Sequence, residues 1–180
     1  MTDLKGRAMK EIKLVEPQLI HELAAKEFVA EFKAHSSSTH GFAGLHKYDD
    51  YSAWLTAVEC GRDPKTVPPD RIPAESLFVF KEEELIGIVW LRYQLNADLL
   101  RFGGHIGLSI RPSARNEGYG TRALALALER CFELGIDEVL VTCNQDNIAS
   151  AKMITNNGGV FFDQQCEDDG TIVERYWFFR

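Results

Sequence analysis

The residues of this sequence best suited to chemistry are two glycines in the run Arg115-Asn-Glu-Gly118-Tyr-Gly120-Thr121. Glycine lets the backbone turn tightly and approach a ligand closely. Directly after this run, an amphipathic pattern predicts a helix over residues 122–134. The first turn of such a helix directs N–H groups and the positive end of its dipole at whatever lies in the loop. The pattern therefore predicts a cradle for an anion such as a phosphate or pyrophosphate.

The elements that must position this loop follow from the hydrophobic pattern. It predicts strands over residues 11–15, 75–81, 85–95, 105–110, 139–143, 160–164 and 173–179. It predicts helices over residues 17–32, 49–60, 122–134 and 147–157. A strand, a helical crossover and a second strand usually give parallel pairing, so the strands on either side of helix 122–134 should run parallel. The expected fold is one α/β domain over residues 1–180, an α+β mixed sheet that is mostly antiparallel, flanked by helices, with one splayed parallel junction.

Two expectations concern buried side chains. The stripe of the first helix predicted to face the core consists of Leu19, Leu23, Phe28 and Phe32. The cysteines have no C-x-x-C spacing and no histidine at metal-ligand spacing, which predicts reduced, buried thiols and no metal site. These cysteines are Cys60, Cys131, Cys143 and Cys166.

Composition narrows the class of protein. Hydrophobic residues make up 45% and charged residues 26%, as is usual for a soluble globular protein. No apolar run reaches the roughly 18 residues that a membrane span needs, and residues 1–7 lack the apolar core of a signal peptide, so we expect a cytoplasmic protein. The net charge of −7 argues against general nucleic-acid binding and mildly favours a cationic partner.

Gly118-Tyr-Gly120-Thr-Arg-Ala123 also satisfies the dinucleotide-binding pattern G-x-G-x-x-G/A, which keeps that ligand class as an alternative. Three features oppose it. Residues 111–117 separate the glycines from the preceding strand, the upstream strands form a meander, and Cys143-Asn144 stands where an acidic residue would grip the ribose. A P-loop is excluded because no Gly-Lys-Ser/Thr follows the glycines.

The segment resembles the GNAT superfamily of acetyl-CoA-dependent N-acetyltransferases. Arg115-x-x-Gly118-x-Gly120 fits the (Q/R)-x-x-G-x-(G/A) loop of that family, between a strand and a long amphipathic helix. Downstream, Asn147-Ile-Ala-Ser150 and the closing Gly158-Gly159 are similar to the second signature of the family. The resemblance covers about residues 75–180. Narrower matches at residues 103–107 and 175–177 resemble a branch known mainly as predicted acetyltransferases, which supplies no acceptor.

The resemblance implies an N-acetyltransferase that moves the acetyl group of acetyl-CoA to a primary amine by direct attack in a ternary complex, without a metal. The residues it places around acetyl-CoA are Ser109, Ile110, Arg111, Arg115, Asn116, Glu117, Gly118, Tyr119, Gly120, Thr121, Arg122, Asn147 and Ser150. It implies a small-molecule or peptide amine as acceptor, selected by residues 35–44 and 61–73, with no nucleic acid or membrane as partner. The sequence leaves open whether the chain forms a homodimer. It also leaves open a second function, a CoA-binding sensor or subunit that catalyses no reaction.

Three residues are candidates for catalysis. His105 and Ser109 share one face of their strand, while Ile106, Leu108 and Ile110 form the other. His105 is either a hydrogen-bonded structural residue or a general base beside the acetyl group, and Glu75 is a second candidate base. Backbone N–H groups near Ser109 could hold the oxyanion. Many members of the family carry an acidic tyrosine where this chain has Thr155, so we expect no general acid at that position.

Overall fold

The computed structural model describes residues 11–37, 39 and 41–180 as two antiparallel sheets and four α-helices. Residues 1–7, which bear on the signal-peptide prediction, lie outside these ranges. The strands of the first sheet stand in chain order and are β1 (Lys13–Val15), β2 (Ala74–Lys81), β3 (Glu84–Arg92) and β4 (Ile106–Ile110). The second sheet has the order β5-β7-β6, with β5 (Glu138–Asn144), β6 (Val160–Cys166) and β7 (Ile172–Phe179). The helices are α1 (Glu22–Ala34), α2 (Tyr51–Arg62), α3 (Tyr119–Glu133) and α4 (Ile148–Asn156).

The first sheet is covered on both faces, and the alternation along β2 shows how. Leu77 and Val79 pack into a cluster with α3 and the second sheet, whereas Phe78 and Phe80 pack against α1 and α2. Successive strand residues point to opposite faces, so a strand buried on both sides must be apolar throughout. This explains the continuous apolar runs at residues 77–80 of β2 and 85–91 of β3. No helix within the described ranges is long and apolar enough to cross a bilayer.

The prediction for the first helix was wrong at its beginning. A separate 3₁₀ turn spans Leu19–His21, and α1 begins only at Glu22. Because the turn breaks the helical phase, Leu19 and Leu23 remain 63% and 70% exposed, while Phe28 and Phe32 are buried as expected. The thiol prediction holds for two of the four cysteines: Cys131 and Cys143 are buried, but Cys60 and Cys166 are exposed.

The junction between β4 and β5 is a single point of contact. The His105 N–H donates to the Leu140 carbonyl at 2.7 Å, and no strand ladder continues from there in the described residues. Gly104 makes this approach possible, since it has a φ of +62° and a β-carbon there would lie 2.6 Å from the Leu140 oxygen. The expected fold, mostly antiparallel and flanked by helices, is confirmed. Its splayed junction lies between two antiparallel sheets that touch at His105 and separate beyond it, which leaves the far half of β4 with an open edge.

Candidate functional site

The predicted anion cradle lies at the beginning of α3. Gly118 is the N-cap of this helix in the left-handed conformation, with a φ of +85°, and it offers no side chain to the first turn. Asn116, two residues earlier, also has a positive φ of +62°. A β-carbon on Gly118 would point into open space, with nothing within 4 Å. The helix therefore presents its N-terminal N–H groups and dipole to an uncovered surface, as anion binding requires.

The second glycine of the motif has a different environment. A β-carbon on Gly120 would lie 3.1 Å from the Met153 sulfur of α4 and 3.7 Å from a side-chain carbon of Ile110. Gly120 thus allows α4 to pack closely on α3, and its contribution to an anion would come from its backbone N–H. Tyr119 is buried beside it, with the Lys81 ammonium 5.7 Å from the centre of its ring.

The three arginines around the loop are engaged to different degrees. The Arg111 side chain is held in ion pairs, at 2.5 Å to Glu31 and 3.1 Å to Glu84, so the structure assigns it to joining α1 and β3. The Arg115 Nε donates to the Ile110 carbonyl at 3.0 Å and its Nη1 to the Ser37 hydroxyl at 3.4 Å, yet the side chain stays exposed. Among the residues that the structure describes, the Arg122 side chain makes only a loose contact of 3.8 Å with Glu129. Arg115 and Arg122 therefore keep capacity for a phosphate, and Arg111 does not.

The backbone of β4 has one edge in the ladder and one open edge. The Arg111 N–H donates to the Ile86 carbonyl, and the Arg92 N–H donates to the His105 carbonyl, both at 2.8 Å. Since backbone groups alternate between the two edges of a strand, the odd-numbered residues of β4 face β3. The residues that face the open edge are Leu108 and Ile110. The backbone groups of Ser109 and Arg111 thus belong to the ladder with β3, and those of Leu108, which sequence reasoning missed, face the other edge. That Ser109 and Arg111 bind the cofactor stays a prediction.

His105 bridges the two sheets. Its Nδ1 accepts a hydrogen bond from the Leu140 N–H at 2.9 Å, in addition to the backbone bond between the same residues. Burial, and then the positive charge of Arg92, lower the pKa of His105 from 6.5 to about 4. The imidazole is thus neutral at pH 7 with Nδ1 already occupied. This geometry matches the structural interpretation of His105 and makes it a poor general base.

Glu75 is buried among cations on the α3 side of the first sheet. Its carboxylate accepts from the Arg130 Nε at 2.8 Å, lies 3.3 Å from Arg62 and contacts the Tyr93 hydroxyl at 3.5 Å. Its neighbours Ala74 and Ser76 line a cavity on the opposite face, but Glu75 itself does not. The carboxylate therefore holds α2 and α3 to β2 and lacks the access that a base needs.

The second signature forms a helix cap. The Asn147 Oδ1 accepts from the Ser150 N–H at 3.1 Å at the beginning of α4, as a plain N-cap would. At the other end of the helix, the Thr155 hydroxyl donates to the Ala151 carbonyl at 3.0 Å. A hydroxyl satisfied by its own helix is not placed to protonate a leaving group. Tyr176 is equally occupied, because its hydroxyl donates to Glu174 at 2.6 Å.

A cavity of about 880 Å³ opens on the side of the first sheet that faces α1 and α2. Residues from both segments expected to select the acceptor line it, including Phe42 in residues 35–44 and Ile72 in residues 61–73. His46 lines it too; its Nδ1 is buried and has no hydrogen-bond partner among the described residues, and its Nε2 lies 3.4 Å from the Thr39 hydroxyl. Sequence reasoning missed this histidine because only the folded chain brings residues 41–48 over the sheet.

Arg92 is a second cavity residue that sequence reasoning missed. It is only 8% exposed, its guanidinium lies 4.1 Å from the centre of the Trp90 ring, and both side chains line the cavity. Arg92 is the last residue of β3, and the sequence pattern does not show whether a charged residue at the end of an apolar strand is buried. Among the described residues, no three His, Cys, Asp or Glu side chains lie close enough together to hold a metal ion.

Comparison with known proteins gives one family and a consistent fold. The family model for the acetyltransferase (GNAT) domain matches residues 49–160. No curated protein sequence matches the chain. Three solved structures illustrate the likeness in fold, all at low identity.

The microcin C7 self-immunity acetyltransferase, in complex with acetyl-CoA and AMP, has a TM-score of 0.67 at 16% identity, over 94% of this chain and 93% of that one. A ribosomal L7/L12 alpha-N-protein acetyltransferase in complex with coenzyme A has a TM-score of 0.67 at 16% identity, over 96% and 95%. The dodecameric spermidine N-acetyltransferase of Vibrio cholerae has a TM-score of 0.64 at 13% identity, over 93% of each chain. At these identities the likeness establishes the fold.

Proposed function

Since the chain belongs to the GNAT acetyltransferase family, we propose that it transfers the acetyl group of acetyl-CoA to a primary amine by direct attack in a ternary complex. The chain is an acyltransferase, and we take residues 1–180 as one catalytic domain. The observation that carries the proposal is the pairing of two open backbone surfaces: the uncapped N-terminus of α3 and the open edge of β4. Together they suit a ligand that has a pyrophosphate at one end and an amide-bearing arm at the other.

The donor side uses backbone groups for most of its contacts. The pyrophosphate would accept from N–H groups of residues 116–121, with Arg115 and Arg122 adding charge. The pantetheine arm would pair as an added strand with the backbone of Leu108 and with the Ile110 N–H, since the Ile110 carbonyl already accepts from Arg115. Asn147 and Ser150 stay proposed ligands of the donor side, although the cap uses the Asn147 Oδ1 and the Ser150 side chain is hydrogen-bonded to Cys143. A dinucleotide has no extended, amide-bearing arm that could pair with the open edge of β4.

The chemistry needs few protein groups. The neutral amine nitrogen attacks the thioester carbonyl carbon, a C–N bond forms, and the carbon–sulfur bond then breaks to release CoA as thiolate. A backbone N–H at the open edge of β4 can stabilise the oxyanion. Holding both reactants in place supplies up to ~7–11 kcal/mol of the barrier reduction. The thiolate takes its proton from water, because its pKa near 8.5 makes it a good leaving group without a positioned acid.

One proton must leave the attacking amine, and His46 is the residue we assign to accept it. It lines the cavity that faces the acceptor segments, whereas His105 and Glu75 are committed to other contacts. Burial, and then the charges of Lys47 and Lys33, lower the pKa of His46 below 6.5, so the imidazole is neutral and able to accept a proton at pH 7. The acceptor would enter through this cavity. The similar structures carry names with acceptors as different as a ribosomal protein and spermidine, so the fold alone does not choose among amines.

The experiment that tests the donor assignment is a thermal shift with CoA, acetyl-CoA and NAD side by side. A ligand that binds only the native state raises the melting temperature, so CoA and acetyl-CoA should raise it and NAD should not. Thiol release from acetyl-CoA over a panel of amines then measures turnover. A folded protein with no shift at saturating CoA would refute the donor assignment. Binding without turnover on any amine would favour a sensor over an enzyme.

A further inference from the structure

The cavity contains a buried cation that the fold leaves without a counter-charge. Within residues 11–37, 39 and 41–180, Arg92 donates only from its Nη1, at 3.0 Å to the Gly103 carbonyl and 2.8 Å to the Gly104 carbonyl. Its Nε is buried and has no hydrogen-bond partner, and no carboxylate pairs with it in the part of the chain that is described. Buried charges are normally paired, because leaving one unpaired costs several kcal/mol. This site therefore lacks an anion.

The other charged groups of the cavity do not supply it. Lys47, Asp70, Arg71 and Asp98 line the cavity but are all exposed, two positive and two negative. Their fields oppose each other and are screened by water and salt. Arg92 is therefore the one buried charged residue among the described residues that line the cavity. Burial lowers the pKa of its guanidinium to about 10, so the group is still positively charged at pH 7. The local charge that an acceptor meets is thus positive, although the whole protein has a net charge of −7.

The geometry around Arg92 favours a planar or forked anion. Trp90 covers one face of the guanidinium at 4.1 Å, and the two glycine carbonyls fix Nη1. This arrangement holds the forked guanidinium group rigidly. Little side-chain entropy is therefore lost when an anion binds to the remaining N–H groups along the edge of the guanidinium. Carboxylates and phosphates match the spacing of such a fork.

We propose that the acceptor amine of this enzyme carries an anionic group, a carboxylate or a phosphate, and that Arg92 recognises it. The proposal rests on the function proposed above, because it identifies the class of substrate for the same acceptor cavity. A polyamine, which would add further positive charge beside Arg92, is disfavoured. The cavity of about 880 Å³ accommodates an amine considerably larger than a free amino acid.

Binding of matched amines in the presence of CoA tests this without requiring turnover. The carboxylate arm compares phenylalanine with phenylalaninamide, and the phosphate arm compares phosphoethanolamine with ethanolamine. By calorimetry, we expect the member of one pair that carries the anionic group to bind at least about tenfold more tightly than its partner without that group. The arm that shows the preference identifies the anion.

Two variants link the preference to Arg92. Arg92→Gln should lose at least about tenfold in affinity for the anionic amine and less than about threefold for the neutral one. Arg71→Gln is the matched control, since it removes an exposed cation of the same cavity and should keep the preference. If Arg92→Gln does not fold, Arg92→Lys serves instead, because it keeps the charge and loses the fork.

The outcomes separate the two proposals. Equal affinity within both pairs, no saturable binding of either anionic amine up to about 10 mM, a preference that survives Arg92→Gln, or one that Arg92→Lys leaves undiminished would overturn the anion proposal. The parallel CoA thermal shift reports on the donor site independently. A normal CoA shift with no anion preference would therefore refute only the acceptor class, and loss of the CoA shift would refute the proposed function itself.

Discussion

Gly118 and Gly135 lie at opposite ends of α3 and share one backbone geometry, which makes them a matched pair for testing the anion cradle. Their φ angles are +85° and +80°, and a β-carbon at either position would meet nothing within 4 Å. Valine at either site therefore introduces similar strain, and its β-carbon meets no described atom within 4 Å. Only Gly118 stands at the positive end of the helix dipole, where a phosphate would lie.

The expected magnitudes follow from this geometry. A left-handed conformation costs an L-residue about 1–2 kcal/mol, so both variants should lose that much stability. For a protein of this size the loss corresponds to a fall of about 2–8 °C in melting temperature. At Gly118 the side chain would also separate a phosphate from the first-turn N–H groups. Two charge-assisted hydrogen bonds of about 1.5–3 kcal/mol each would be lost.

The assay compares the affinity for CoA with stability in each variant. Calorimetry well below the melting temperature should show CoA binding weakened about a hundredfold or more by Gly118→Val, since 3 kcal/mol exceeds two factors of ten. Gly135→Val should bind CoA within about threefold of the unaltered protein while losing the same stability. If the two variants bind CoA equally well, the phosphate does not lie at the N-terminus of α3. Gly120→Val is a poorer test than the motif suggests, because its side chain would also displace Met153.

Three further predictions concern single side chains. Thr155→Ala should cost less than about tenfold in turnover, since its hydroxyl is bonded to its own helix, and a thousandfold loss with CoA binding intact would show a general acid there. His46→Gln should lower kcat/KM by about a hundredfold or more and remove the acidic limb of the pH profile, and a loss below about threefold would exclude it as the proton acceptor. For His105, the folded pKa of about 4 lies below the ordinary 6.5, so its stabilisation is present above pH 6.5 and is lost as the pH falls toward 4. Chemical unfolding should therefore show that the drop in stability between pH 7 and 4.5 is about 2 kcal/mol smaller in His105→Asn, and an unchanged drop would contradict the low pKa.

Local sequence determined those features whose physics is local. The apolar runs of β2 and β3 predict a hairpin because strands buried on both faces must be apolar, and the structure has that hairpin. The glycine loop before an amphipathic run predicts a helix with an open N-terminus, and Gly118 adopts the left-handed conformation that this requires. The alternation along β4 likewise predicts its two faces, since Leu108 and Ile110 pack with the α3 cluster as expected.

Tertiary structure decided whatever depends on contacts between distant residues. Whether His105 is a base or a bridge depends on Leu140, which lies 35 residues away, and the availability of Glu75 depends on Arg130, which lies 55 residues away. The edge of β4 that faces outward depends on its pairing with β3, which a face pattern does not reveal because side chains and hydrogen bonds point in perpendicular directions. Arg92 shows the limit most clearly. Its charge is ordinary in the sequence, and only the closure of Gly103, Gly104 and Trp90 around it makes it a buried cation that lacks an anion.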